Sequence, residues 1–159
     1  MEGIIHIRID DRLIHGQVAN FWTNELGATR IMVINDEIAN DDIRKSVLRM
    51  AAPAGVATSI ISKETAVKNI SIGKYKGQRV FIVLKSPIDL LDIYKMGLDI
   101  KKCNIGNLSN RPETEILRPN ISVTEEEKKS ILELLNNGVE ITAVMTPNDS
   151  KIFIKDFIR

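Results

Sequence analysis

Short runs of branched and aliphatic residues alternate along the chain with segments whose apolar residues recur at helical spacing. The runs lie at 4–8, 30–35, 57–61, 79–84, 100–105 and 139–145, with a further short one near 120–123. Runs of this kind are typical of buried strands, and their alternation with helices is typical of a parallel sheet. The pattern predicts an α/β fold with an open, mostly parallel central sheet of about six to seven strands and helices on both faces.

Several helix boundaries can be predicted from capping residues. Ser86-Pro87 is typical of a cap followed by a proline in the first turn, and the segment 124–127, which reads TEEE, is typical of a capping box. Ile43, Val47 and Met50 recur at helical spacing, and the proline and glycine of 51–55 are expected to end the helix that carries them. The segment 106–120 has no clear periodicity, so we expect a loop there.

Composition limits the classes of function. The chain has 159 residues, 43% of them hydrophobic, which suits one domain spanning 1–159. A net charge of +1, from 22 basic and 21 acidic residues, gives no electrostatic basis for nucleic-acid binding, and we expect no such partner. The chain begins without an apolar signal region, and its longest apolar run is too short to span a bilayer, so we expect a cytoplasmic protein. The single cysteine, Cys103, is expected near the core.

Residues 8–18, which read RIDDRLIHGQV, carry the residue types of a phosphoryl-accepting site. They place His15 at a strand-to-helix turn, after Arg8 and Arg12 and before Gly16. A neutral imidazole is nucleophilic at cellular pH, and a helix N-terminus with arginines nearby suits the charged oxygens of a phosphoryl group. One of the two aspartates, Asp10 or Asp11, would orient the imidazole or hold an arginine, while the other would cap the loop. The local pattern also allows a solvated or capping histidine beside exposed ion pairs.

The same stretch resembles the signature of the enzyme IIB components of the mannose/fructose/sorbose branch of the bacterial phosphoenolpyruvate-dependent sugar phosphotransferase system. Further segments that are similar to landmarks of that family are Trp22, 33–39, 50–56, 85–87, 104–107, 138–139 and 147–149. Many members read Gly-Gly-Met where this chain reads Gly106-Asn107-Leu108. The resemblance therefore covers the whole chain and leaves the sugar and the shape of that loop open.

The resemblance implies a phosphocarrier enzyme, a protein-N(pi)-phosphohistidine–sugar phosphotransferase. His15 would accept a phosphoryl group on its Nδ1 atom from a phosphohistidine of the IIA protein or domain. It would then donate that group to a sugar held by the membrane IIC/IID components, at the inner face of the membrane. No cofactor and no metal is implied.

The predicted topology adds candidates at the carboxyl edge of the sheet, where ligands of open α/β folds bind. Besides the catalytic candidates His15, Arg12 and Arg8, residues expected to bind phosphate or to support the site are Asp10, Gly16, Gln17, Asp36 and Ser86. The segment 104–107 follows the fifth strand and is a candidate for partner contact. Purely structural roles are open as well, since Asp36 and Ser86 are also suitable helix caps and Gly106 a suitable turn residue.

Other functions make demands that the sequence does not meet. The chain contains neither G-x-G-x-x-G nor G-x-x-x-x-G-K-[ST], so a nucleotide cofactor is unsupported. Metal-dependent hydrolysis lacks the necessary histidine and cysteine ligands. His6 lies inside the first predicted strand and is expected to be a satisfied structural histidine. The remaining alternative is a non-catalytic regulatory module that carries phosphate on His15 as a signal.

Overall fold

The central sheet consists of parallel strands, as the alternating pattern predicts. The computed structural model describes the backbone of residues 1–159 and every side chain except those of Gln17 and Val18. The strands of the sheet are β1 (Ile4–Asp10), β2 (Arg30–Ile34), β3 (Ala57–Ile61), β4 (Val80–Leu84), β5 (Lys102–Asn107) and β8 (Glu140–Thr142). They form a six-stranded sheet in the order β3-β2-β4-β1-β5-β8. The predicted fold class is confirmed.

The predicted loop at 106–120 is partly wrong, because it contains a strand. Residues Glu115–Arg118 form β6, which pairs antiparallel with β7 (Ile121–Val123). β5 also continues to Asn107, past its predicted end at 105. A strand of four residues is too short to produce a recognisable alternation, and its pairing partner decides the structure.

Six helices cover the sheet within the described backbone: α1 (Gly16–Leu26), α2 (Asp36–Ala39), α3 (Asp42–Ala51), α4 (Lys63–Ser71), α5 (Pro87–Lys95) and α6 (Glu125–Asn136). The caps predicted at Ser86 and Thr124 are confirmed, whereas α2 is capped by Asn35 and not by Asp36. Ser86 caps α5 through the backbone N–H of Ile88, and Thr124 and Glu127 form the capping box of α6. No described helix has both the length and the apolar character needed to cross a membrane.

Each central strand contributes side chains to two separate cores, one on each face of the sheet. In β2, Ile31 and Val33 pack on the face covered by α1, α2 and α3, whereas Met32 and Ile34 pack on the face covered by α4, α5 and α6. Full burial of such a side chain stabilises the fold by about 1.5–3 kcal/mol. Cys103 is buried as expected, and burial raises the pKa of its thiol to about 12.

Candidate phosphoryl-transfer site

The turn between β1 and α1 presents His15 at the carboxyl edge of the sheet. His15 is the N-cap residue of α1, with extended backbone angles, but its side chain makes no capping hydrogen bond. Leu13 has a φ of 60°, in the left-handed region that leucine rarely adopts, while its side chain is buried. Burial of Leu13 and Ile14 holds this strained turn in place, and the imidazole ring remains one-quarter exposed. Because the His15 side chain makes no capping hydrogen bond, the interpretation of it as a mere capping side chain is wrong.

Asp10, the last residue of β1, is the buried acceptor around which the site is built. Its carboxylate accepts hydrogen bonds from the backbone N–H of Arg12 (3.1 Å), from Nε and Nη2 of Arg12 (3.0 Å each) and from Nη2 of Arg8 (3.2 Å). Burial alone would raise the pKa of Asp10. Hydrogen bonds from His15 and Arg12 and the charge of Arg8 outweigh that effect and hold the pKa well below its usual range. Asp10 is therefore ionised at neutral pH.

The contact between Asp10 and His15 fixes the chemistry of the imidazole ring. Nε2 of His15 lies 3.3 Å from Oδ2 of Asp10. An ionised carboxylate can only accept a hydrogen bond, so the proton of a neutral imidazole belongs on Nε2. Nδ1 then carries a lone pair, which makes it the nucleophilic nitrogen of the ring.

Arg8 lies beneath the site and not at its surface. Only 2% exposed, it donates from Nη1 to Oδ1 of Asn104 (2.7 Å) and to the backbone oxygen of Val144 (3.2 Å), and from Nη2 to Asp10. Burial lowers the pKa of Arg8, although the charge and hydrogen bond of Asp10 oppose the shift. The expectation that Arg8 contacts the phosphoryl oxygens does not fit this position. Its guanidinium instead holds Asp10 in place.

Two residues of the segment 104–107 adjoin this buried arginine, since Asn104 accepts its hydrogen bond and Gly106 lies against its guanidinium. A Cβ atom at Gly106 would overlap the guanidinium of Arg8, so the glycine leaves room for that buried side chain and does not serve a left-handed turn. Asn107 donates from Nδ2 to Oδ1 of Asp11 (2.9 Å), and the backbone N–H of Ser109 donates to Oδ2 of Asp11 (2.7 Å). Asp11 therefore ties the His15 turn to the end of β5, and Asn107 contributes a bond that a glycine there could not make.

The remaining predicted site residues differ in their positions. Arg12 is 40% exposed beside Asp10, and Gly16 begins α1 with open space where a Cβ atom would stand. Asp36 accepts from the backbone N–H of Lys63 at the start of α4, and Ser86 caps α5. In the described part of the chain, no hydrogen bond joins Asp36 or Ser86 to His15. Gln17 is also predicted to bind phosphate or to support the site, and its side chain lies outside the described residues.

Two aromatic contacts belong to the site but could not be assigned from the sequence. The guanidinium of Arg8 lies over the ring of Trp22, 5.1 Å from its centroid, and Nε1 of Trp22 donates to the backbone oxygen of Met145 (2.9 Å). The ring of His6 stacks on that of Trp22 with centroids 4.9 Å apart. His6 is structural as expected, but it is not satisfied, because its buried Nε2 has no hydrogen-bond partner. The only signal for Trp22 was its place among the family landmarks.

The described residues contain no group of three or more His, Cys, Asp or Glu side chains that could hold a metal ion.

Comparison with known proteins assigns this arrangement to a family. Residues 4–159 match the model of the PTS system sorbose subfamily IIB component. The chain belongs to this family of IIB components. The family expected from residues 8–18 is thereby confirmed, and this IIB chain is a phosphotransferase component of a sugar phosphotransferase system.

Individual relatives of this IIB chain agree in sequence and structure. It is 35% identical over 151 residues to the sorbose-specific EIIB component of Klebsiella pneumoniae, a match that covers 95% of this chain and 92% of the relative. It is 34% identical to the mannose-specific EIIAB component of Escherichia coli K12 over 95% of its own length, which is 47% of that protein. The crystal structure of the IIBSor domain of the Klebsiella pneumoniae sorbose permease superposes with a TM-score of 0.91 at 35% identity, covering 98% of this chain and 95% of that one.

Proposed function

We propose that His15 of this IIB chain accepts a phosphoryl group from a phosphohistidine of the IIA component and donates it to a sugar held by the IIC/IID membrane components. The observation that carries the proposal is the pairing of Nε2 with the buried Asp10, which leaves Nδ1 free on a partly exposed ring. The name of the Escherichia coli relative, EIIAB, supports IIA as the donor. This role places the chain at the inner face of the membrane, beside the transporter.

The transfer begins with attack of Nδ1 on the phosphorus atom of the donor phosphohistidine. The electron pair of Nδ1 forms the new P–N bond, while the pair of the old P–N bond returns to the donor imidazole. Phosphorylated His15 carries its proton on Nε2, where the negative charge of Asp10 stabilises the ring. The oxygen of a sugar hydroxyl attacks the phosphorus atom next, and the electron pair of the P–N bond returns to Nδ1. His15 leaves as the neutral imidazole with its proton still on Nε2, and the hydroxyl proton is released to solvent.

Arg12 is the residue best placed to stabilise the charge of the transferring group. A guanidinium has five N–H donors, and Nε and Nη2 of Arg12 each give one to Asp10. The other donors are available to phosphoryl oxygens, because the side chain is 40% exposed. The free N–H groups of the first turn of α1 add a second positive pole, and Gly16 leaves open space beside it.

The other predicted residues act indirectly in this proposal. Arg8 positions Asp10, while Asp36 and Ser86 fix the starts of α4 and α5 at the same edge of the sheet. None of these three needs to contact the phosphoryl group. Their substitution should therefore act through the shape of the site.

The test of the proposal follows the phosphoryl group through both steps. Incubation with phosphorylated IIA should give one acid-labile, base-stable phosphoryl group per chain, absent in His15→Ala and present in His6→Phe. Membranes that contain the matching IIC/IID should then remove it only when sugar is added. Sorbose, mannose and fructose, the sugars in the names of relatives, are the first to try. Phosphate that stays on His15 with sugar and competent membranes present would favour the regulatory alternative.

A further inference from the structure

Helix α3 exposes a row of apolar side chains. Ile43, Val47 and Met50 are 78%, 60% and 85% exposed, while Leu48 on the same helix is buried against the sheet. The spacing of the three exposed residues places them on one face of the helix. A contiguous exposed apolar row of this kind is a mark of an interaction surface.

The row is continuous with the phosphoryl-transfer site. A hollow of about 220 Å³ separates α3 from the His15 turn, and Val47 lines it together with Arg12. Asp11, Arg44 and Lys85 complete its charged lining. A protein that covered Val47 would therefore also cover Arg12 and stand next to His15.

The charges around the hollow favour the binding of a negatively charged group. Arg12, Arg44 and Lys85 line it together with one carboxylate, that of Asp11. Arg12 also pairs with the buried Asp10, and Arg44 pairs with Glu37 at 3.3 Å, although the Glu37 side chain is 82% exposed and can exchange for another carboxylate. The Asp11 carboxylate is already engaged by hydrogen bonds from Asn107 and Ser109. A phosphohistidine carries close to two negative charges, whereas a sugar carries none.

We propose that this face of α3 (Ile43, Val47 and Met50) together with the hollow is the docking surface for the phosphoryl donor, and not for the sugar-bearing membrane components. The donor would place an apolar patch on the exposed row and carboxylates beside Arg44 and Lys85, with its phosphohistidine toward Arg12. This inference rests on the proposed function, since it names the face through which His15 is loaded. Complementary charge would speed the encounter, and the apolar row would hold the complex.

The test separates docking from chemistry with two phosphoryl donors. Val47→Glu and Met50→Glu place carboxylates on exposed positions, so folding should be unaffected. With phosphorylated IIA, we expect KM to rise about 10-fold or more at nearly unchanged kcat. With phosphoramidate, which is too small to need a docking surface, labelling of His15 should proceed at the wild-type rate. Val47→Ile should behave as wild type with both donors.

A matched control places the same charge elsewhere. Ile72 is 70% exposed and follows α4, on the opposite face of the sheet from α3. Ile72→Glu should leave the KM for phosphorylated IIA unchanged. A similar rise in Ile72→Glu would mean that added charge acts at long range, which would overturn the assignment to α3.

Other outcomes would also overturn the inference. An unchanged KM for phosphorylated IIA in both α3 variants would exclude docking there. Loss of transfer to sugar with normal loading from IIA would assign the face to the membrane components. A wild-type dimer that Val47→Glu converts to a monomer would mean that a second copy covers the row. If wild-type His15 accepts phosphate from neither donor, the proposed function itself fails and the docking inference fails with it.

Discussion

Nε2 of His15 lies 3.3 Å from Oδ2 of Asp10, and the Asp10 side chain is only 1% exposed. This contact joins a ring that solvent and partners can reach to a carboxylate that they cannot. The carboxylate is held in turn by the guanidinium groups of Arg8 and Arg12. Because the carboxylate accepts from Nε2, Nδ1 is the nitrogen that remains for the proposed phosphoryl transfer.

Asp10→Asn should slow phosphorylation of His15 by about 10²- to 10⁴-fold, because an amide no longer specifies the tautomer with the proton on Nε2. The rate is measured in single-turnover labelling by phosphorylated IIA, on protein whose fold is verified by circular dichroism. Asp99→Asn is the control, since its exposed carboxylate pairs with Lys101 just before β5, at the edge of the sheet opposite to His15. Normal loading of a folded Asp10→Asn protein would exclude a role for Asp10 in orienting the ring.

Substitution of Arg12 should lower the transfer rate, whereas substitution of Arg8 should lower the stability of the fold. Arg12→Ala should fold normally and slow transfer by about 10²- to 10³-fold, as expected for loss of a transition-state donor. Arg12→Lys should recover only part of the rate, because an ammonium group lacks the forked geometry. Arg8→Ala should lower the free energy of unfolding by about 3–5 kcal/mol, since it leaves Asp10 buried with less compensating charge. Urea unfolding and single-turnover rates on the same samples distinguish these results.

The two glycines of the site should also behave differently. Gly106→Ala should destabilise the fold by about 1–3 kcal/mol, because the new methyl group overlaps the guanidinium of Arg8. Gly16→Ala should leave stability equal or slightly higher, since the position is helical and the space is open. Thermal or urea unfolding of both variants tests this. Equal stability of Gly106→Ala and wild type would mean that Arg8 can leave its position at little cost.

The sequence predicts much of this fold because most of its elements are long enough to show their own periodicity. The parallel strands, the cap at Ser86 and the capping box at Thr124 are local features, and all are confirmed. β7 matches the short strand predicted near 120–123, whereas β6 and its pairing with β7 are not predicted, because pairing between short strands has no local pattern. The loop expected at 106–120 was wrong at Glu115–Arg118 for that reason.

In the site, too, the features set by neighbouring residues can be predicted from the sequence, and those set by distant contacts cannot. Residues 8–18 suffice to single out His15 and Arg12, but they leave Asp10 and Asp11 as alternatives, and the structure decides between them. Burial of Arg8 cannot be read from that segment, because its guanidinium bonds to Asn104 and Val144, on β5 and after β8. Nor does spacing along α3 reveal that Val47 faces the solvent and Leu48 the core, since both fit a helical repeat.

His6 should make stability depend on pH between about 7 and 4. Burial, followed by the charges of Arg8 and Lys102, lowers the pKa of His6 to about 4, against an unfolded value of 6.5. As pH falls below 6.5 the unfolded chain binds a proton at His6 that the folded chain excludes, so the free energy of unfolding decreases until the pH reaches the folded pKa. We expect a loss of about 2 kcal/mol between pH 7 and pH 5.

Urea unfolding at the two pH values measures this loss, and His6→Phe provides the comparison because its ring can keep the stack on Trp22. The variant should lose about 2 kcal/mol less than wild type over the same interval. Asp10 does not disturb the measurement, since its low folded pKa affects stability only near and below the unfolded value of about 4. Equal losses in wild type and His6→Phe would assign the pH dependence to another group.

The central claim is that Asp10 holds Nε2 of His15 and leaves Nδ1 to form the bond to phosphorus. Nitrogen-15 NMR of histidine-labelled protein, recorded before and after loading by phosphorylated IIA, tests it most directly. The account predicts a single phosphorylated nitrogen, Nδ1 of His15, with the proton retained on Nε2 and no change of protonation at His6. Phosphate on Nε2 of His15, or on His6, would contradict the account, because either result requires an imidazole that Asp10 does not orient.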